Sequence, residues 1–184
     1  MFLEQDAAGL RVYSSNLLHG LLQTSAYTRE VIAATALTRT PEEVAALAEV
    51  RLARQAVLTR QGNPLKIWAV IHEAALRQRF PSRPTVMTEQ LRRLLDLSEL
   101  PTVDIQVMPM EASPHPGMTG PFDIVSFTGP WPTVVNLENL RGGFFLEGDD
   151  AAVFETAFDR VVAAALPVDV SRETIKAIME GMQR

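Results

Sequence analysis

Three short runs between positions 103 and 140 constrain the fold more than any other part of this sequence. Their residues alternate between apolar and polar types or are β-branched and aromatic, and the loops that join them are rich in proline and glycine. Such runs are typical of strands in a sheet whose connections are shaped and semi-rigid. We therefore predict that they form antiparallel strands, which are Val103–Met108, Phe122–Phe127 and Thr133–Leu137.

Two more strands are predicted at Lys66–Ile71 and Phe144–Leu146, because both segments are β-branched or aromatic. Elsewhere the apolar residues recur at the helical period. The predicted helices are Met1–Val12, Ser25–Leu37, one from the Thr40 cap to about Arg60, one opened by Thr85 or Thr88 and ended by Pro101, one from Asp149, and a last one capped by Ser171. We predict a single α+β domain over residues 1–184. Its antiparallel or mixed sheet should have about four or five strands, flanked by N-terminal and C-terminal helices.

Composition excludes several classes of protein. Apolar residues make up 47% of the chain and charged residues 21%, which is ordinary for a soluble globular protein. The net charge of −5 argues against a nucleic-acid-binding surface spread over the chain. Cysteine is absent, no apolar run reaches the roughly 20 residues of a membrane helix, and the N-terminus lacks a basic signal-peptide segment. We expect a cytoplasmic protein without membrane contact.

The pair His72–Glu73 is the first candidate for chemistry, at the end of a predicted strand. Adjacent strand residues point to opposite faces, so only one of the two side chains would enter a given pocket. In the functional interpretation one of them is an acid–base group at the mouth of that pocket. In the alternative interpretation His72 contacts solvent while Glu73 pairs with an arginine such as Arg77.

His115 is the second candidate, because prolines on both sides hold its backbone extended and so fix where its ring points. That arrangement suits ligand contact or a plain loop cap equally. The remaining histidine, His19, shares no metal-ligand spacing with the other two, so we predict no metal site. No GxGxxG or P-loop pattern is present, and no cofactor is predicted.

Methionine and aromatic residues around the predicted sheet are candidates for contact with an apolar or mixed-polarity ligand, although such residues also fill cores. The candidate ligand-binding set is Tyr27, Trp68, Met108, Met118, Phe122, Trp131 and Phe144.

Several segments together resemble one family. They are GLLQT at 20–24 with Tyr27 after it, RLARQ at 51–55, WAVIHEAALR at 68–77, LRRLLDLSELPTVDIQVMP at 91–109, HPGMTGPFDIV at 115–125, and FLE at 145–147 followed by AFDRVVAAAL. The sequence is similar to the domain of unknown function that follows an Xre-type helix-turn-helix in actinobacterial transcriptional regulators. The resemblance covers nearly the whole chain, but no helix-turn-helix precedes Phe2. His19 stands where that family usually has proline, and His72 where it usually has aspartate.

The resemblance implies a small-molecule-binding or partner-binding effector domain without direct nucleic-acid contact of its own. The family supplies no catalytic residues. The alternative is a free-standing relative recruited to natural-product biosynthesis as a cofactor-independent enzyme. Its acid–base groups would be His72, Glu73 and His115, and its reaction an intramolecular cyclisation or isomerisation. A homodimer, or a heterodimer with a homologous domain, is also expected. In a purely structural version the dimer contact is the last helix, with Ile175, Ile178, Met179 and Met182.

Overall fold

The computed structural model describes residues 3–140 and 142–182. The strands of its sheet are β1 (Ala7–Ser14), β2 (Lys66–His72), β3 (Val103–Met108), β4 (Phe122–Phe127), β5 (Val134–Asn139) and β6 (Gly142–Leu146). The α-helices are α1 (Ser25–Thr35), α2 (Pro41–Arg54), α3 (Glu73–Leu76), α4 (Thr85–Leu97), α5 (Asp149–Ala164) and α6 (Val168–Met182). The prediction of an α+β fold is confirmed, and the sheet has six strands in this part of the chain, slightly above the expected number.

The sheet joins a parallel half to an antiparallel half. Its strand order is β3-β2-β1-β4-β5-β6. Strands β1, β2 and β3 run parallel, whereas β4, β5 and β6 form an antiparallel meander beside β1. The prediction that β3, β4 and β5 are antiparallel neighbours was therefore wrong for β3. Its partner is β2, because helical crossovers connect β1 to β2 and β2 to β3 and so favour parallel pairing.

The N-terminal segment was predicted as a helix over Met1–Val12, and this was wrong. Within the described residues a short 3₁₀ turn at Leu3–Gln5 leads into β1, which lies in the middle of the sheet. Leu10 and Tyr13 are both buried although they point to opposite faces. A central strand buried on both faces lacks clean alternation, which is why its pattern resembled a helix.

Each face of the sheet carries its own apolar core. On the helical face, strand residues such as Leu10 and Ile67 pack with residues of α1, α4 and α6. On the opposite face, which we call the α5 face, Tyr13, Val70 and Ile124 pack against Phe158 and Val161 of α5. The molecule is thus layered as helices, sheet and helix.

Of two predicted helix N-caps, the one at Thr40 is observed and the one at Ser171 is not. The Thr40 capping box that starts α2 is confirmed, since its hydroxyl accepts from the Glu43 N–H and the Glu43 carboxylate accepts from the Thr40 N–H. The helix ends at Arg54 and continues as a 3₁₀ turn. Ser171 was predicted as a cap but lies inside α6, where it is buried. No helix in the described part of the chain is long and apolar enough to cross a membrane.

Candidate functional site

The carboxyl ends of the parallel strands meet at one edge of the sheet. Tyr13 lies near the end of β1, and His72 at the end of β2 is the register partner of Met108 at the end of β3. Ligands of open α/β sheets bind outside the carboxyl ends of parallel strands. This edge, which we call the carboxyl edge, also receives the loop that carries His115, since the His115 and Tyr13 rings are in contact.

His72 is held at the start of a short helix. Its extended backbone caps α3, and its Nδ1 accepts a hydrogen bond of 3.1 Å from the Ala74 N–H. An Nδ1 that accepts this bond is unprotonated in the neutral ring, so the proton lies on Nε2. His72 can therefore present an N–H donor to a ligand.

Glu73 is tied to its neighbours. Its Oε1 accepts from Nε of Arg77 at 2.7 Å, and its Oε2 accepts from the Met110 N–H at 3.1 Å. Partial burial raises the pKa of Glu73, but the Met110 hydrogen bond and the Arg77 guanidinium outweigh it and leave that pKa below its ordinary value. Glu73 is therefore an ionised side chain that fastens the β3–β4 loop to α3. The alternative interpretation of its pairing with Arg77 is confirmed.

His115 lies close to His72 and Tyr13. It precedes a 3₁₀ turn at Pro116–Thr119, and its ring meets the Tyr13 ring edge-on with centroids 5.7 Å apart. Its Nδ1 is buried and has no hydrogen-bond partner within the described residues. Burial lowers the pKa of His115, and the nearby His72 lowers it further, so the imidazole is neutral at pH 7.

Gly117 explains how the loop comes so close to the sheet. A Cβ added at this position would lie 2.5 Å from Cε1 of Tyr13 and 3.0 Å from Cε1 of His115. Only glycine permits this approach. The exposed side chains of Met110 and Met118 lie in the same loop, at 59% and 73% exposure, and give the carboxyl edge an apolar, adaptable rim.

The comparison with protein families decides the affiliation of the chain. The family model described as "Domain of unknown function (DUF5753)" matches residues 1–177. The chain belongs to the DUF5753 family. Comparisons with curated proteins and with solved structures each return no match.

The candidate ligand-binding residues of this DUF5753 domain do not form one site. Met118 lies at the carboxyl edge, whereas Met108 and Phe122 are buried in the core beneath it. The other candidates lie elsewhere: Tyr27 is buried on the helical face, Trp68 packs edge-on against Phe158, and Trp131 and Phe144 are exposed on a loop and on β6.

The hydroxyl of Tyr27 is engaged within the core. It donates to Gln78 at 3.2 Å and accepts from the Leu18 N–H at 3.3 Å. Two surface cavities, of about 430 and 320 Å³, lie between helices and adjoining loops, and neither is lined by His72, Glu73 or His115. Of the three acid–base candidates, His72 and Glu73 adjoin at the start of α3, and His115 approaches the same edge through its contact with Tyr13.

Sequence reasoning missed Tyr13, which lies just after the predicted helix Met1–Val12 and belongs to β1 in the structure. It also missed a polar pair on the helical face of the sheet. Nε2 of His19 lies 3.7 Å from Oδ2 of Asp123, which accepts from Nδ2 of Asn136 at 3.3 Å. The sequence feature that could have indicated this pair is an aspartate within the apolar run of β4. No cluster of three or more metal-binding side chains is found in residues 3–140 and 142–182.

Proposed function

We propose that this DUF5753 domain is an effector module that binds a small ligand at the carboxyl edge. One observation supports it above others: the ring of His115 contacts Tyr13 at the carboxyl edge, where His72 also ends β2 and lies near enough to lower the pKa of His115. A buried imidazole nitrogen without a hydrogen-bond partner among the described residues, here Nδ1 of His115, is costly unless something uses it. Convergent polar groups of this kind fix the orientation of bound small molecules.

The chemistry of the edge indicates a ligand of mixed polarity. The Nε2–H of His72 suits a carboxylate or another oxygen acceptor, and an anion would favour protonation of both histidines. The rim of Met110 and Met118 offers thioether surface to an apolar body. We therefore propose a small apolar carboxylate, or a molecule that presents such a group.

The regulatory role is proposed from the resemblance to domains that follow a helix-turn-helix in actinobacterial regulators. In that role this chain would sense the ligand, while DNA would be contacted by another domain. The net charge of −5 supports an absence of direct DNA binding by this chain.

The histidines provide a direct test, because the chain has only three of them. Nitrogen-15 labelling of histidine lets NMR follow each ring during titration with octanoate, phenylacetate and the corresponding amides. We expect a carboxylate to shift the signals of His72 and His115 together and to raise the pKa of His115. His19, on the other face of the sheet, should not respond and serves as the internal control.

The proposal fails if none of these compounds shifts His72 or His115, or if all three histidines respond alike. The variant His115→Gln should weaken carboxylate binding at least severalfold while the protein remains folded. The amides should bind less tightly than the acids, because they carry no charge to favour the imidazolium forms.

The lowered pKa of His115 favours a second candidate function, an acid–base enzyme. A neutral imidazole packed against the Tyr13 ring can accept a proton from a substrate at neutral pH. The same titration separates the two functions when the signals of the ligand are followed over hours. An unchanged ligand supports the effector module, whereas conversion that disappears in His115→Gln supports the enzyme.

A further inference from the structure

The two outer strands of the sheet differ in whether other parts of the chain cover their outward-facing backbone groups. At the β3 edge, the Val107 N–H donates to the Ser171 hydroxyl at 2.8 Å, and the Val107 carbonyl accepts from the Leu166 N–H at 2.9 Å. The connection between α5 and α6 and the start of α6 therefore cover this edge and supply hydrogen-bond partners for it. An edge satisfied in this way is closed to another strand.

The β6 edge has no such protection among the described residues. Strand β6 is the last in the sheet order, and its outer side pairs with no other strand. Phe144 and Phe145 point to opposite faces, yet they are 56% and 60% exposed. Natural edge strands are usually blunted by lysine, proline or a covering element. This strand, with the sequence GGFFL, carries neither a charge nor a proline.

We propose that a second copy of this chain pairs with β6, forming an antiparallel contact across a twofold axis at Phe144. In this register each Phe144 lies opposite its counterpart, which suits an aromatic pair. Each Phe145 lies opposite Gly143 of the other copy. The contact is isologous, and it closes at two copies rather than growing into a filament.

Charge and packing both agree with a second copy of this chain as the partner of β6. Glu147 and Asp149 follow the carboxyl end of β6, and an antiparallel arrangement places these acids of the two copies at opposite ends of the contact. The surface expected from the sequence, on α6, is not free, because Ile175 and Ile178 are buried in the core of their own chain. The aromatic residues of β6 have no comparable intramolecular cover.

Single cysteines test the register, since the chain contains none. Opposed residues of an antiparallel pair have Cα atoms about 4.5–5.5 Å apart, within the range of a disulfide. In the variant Phe144→Cys the two thiols are opposed, and mild oxidation should link the copies. In Phe145→Cys the thiols are diagonal neighbours about 7–8 Å apart. We expect that variant to link about ten times more slowly, because its thiols lie near or beyond the reach of a disulfide.

The oligomeric state provides the second measurement. Light scattering at about 100 µM, above a micromolar Kd, should show a dimer for the unmodified chain. The variant Phe145→Lys should be a monomer with an unchanged melting temperature. Val170→Lys changes an exposed apolar residue of α6, at the opposite edge, and should remain a dimer. A monomeric unmodified chain, or equal linking rates for the two cysteine variants, would overturn the proposal.

Discussion

At the scale of single residues, Glu73 shows how a candidate catalytic group can be structural. We expect Glu73→Gln to lower the free energy of unfolding by about 1 kcal/mol at pH 7, because it weakens hydrogen bonds to a carboxylate. The folded pKa of Glu73 is lowered, so its contribution is present above the unfolded pKa and is lost as the pH falls through the folded value. Urea unfolding at pH 7 and in acid measures both effects.

The matched control for Glu73 is Glu89→Gln, an exposed glutamate in α4. It should leave the free energy of unfolding within about 0.5 kcal/mol of the unmodified protein. Equal effects of the two substitutions would show that the Glu73 contacts contribute nothing. The pairing of Glu73 with an arginine such as Arg77 was the alternative interpretation of the sequence, and helix α3 places the two residues four positions apart on one side. The bond of Glu73 to the Met110 N–H was not predicted, because that contact depends on the path of a loop.

At the scale of elements, the sequence correctly predicted a shaped loop between β3 and β4. It did not predict where the two strands that this loop joins lie in the sheet. Its prolines and glycines correctly indicated a shaped connection, and the bounds of β3 and β4 were predicted as observed. The loop was expected to join neighbouring strands, yet β2 and β1 lie between β3 and β4. Local turn chemistry does not specify which strands a connection spans.

The close approach of this loop yields a prediction at Gly117. We expect Gly117→Ala to destabilise the fold by about 1–3 kcal/mol, because its Cβ would overlap the Tyr13 ring unless the turn shifts. A shifted turn would expose His115, whose pKa should then rise towards its ordinary value. Thermal unfolding and the NMR titration of His115 measure the two effects. Gly181→Ala, which meets nothing within 4 Å, should be neutral or slightly stabilising. The packing argument fails if the two substitutions act alike.

At the scale of the whole molecule, residue patterns predicted the fold class but not the sheet order. Ala7–Ser14 occupies the centre of the sheet and joins its parallel and antiparallel halves. Nothing local distinguishes this strand, since its environment is created by segments far along the chain. The same holds for His72 and His115. There are 42 residues between them in the sequence, and only the fold brings them near each other. Candidate residues were thus predictable, whereas their partner Tyr13 required the topology.

Asp123 connects the antiparallel half of the sheet to the His19 segment, and its titration affects the stability of the whole molecule. Burial raises its pKa above the ordinary 3.8, although His19 and the Asn136 amide oppose the shift. The unfolded chain therefore releases this proton at lower pH than the folded protein, and stability falls as the pH rises from about 3.8 to the folded pKa. Above that pH the folded molecule holds a buried carboxylate at a cost.

We therefore expect Asp123→Asn to raise the free energy of unfolding at pH 7, by an amount on the order of 1 kcal/mol. The gain should vanish at pH 3, where the unmodified side chain is already neutral in both states. Asp104→Asn, at an exposed position of β3, is the matched control. Urea unfolding of both variants from pH 3 to pH 8 measures the difference. Destabilisation of Asp123→Asn at pH 7 would mean that His19 stabilises an ionised Asp123 by more than burial costs, which contradicts the raised pKa.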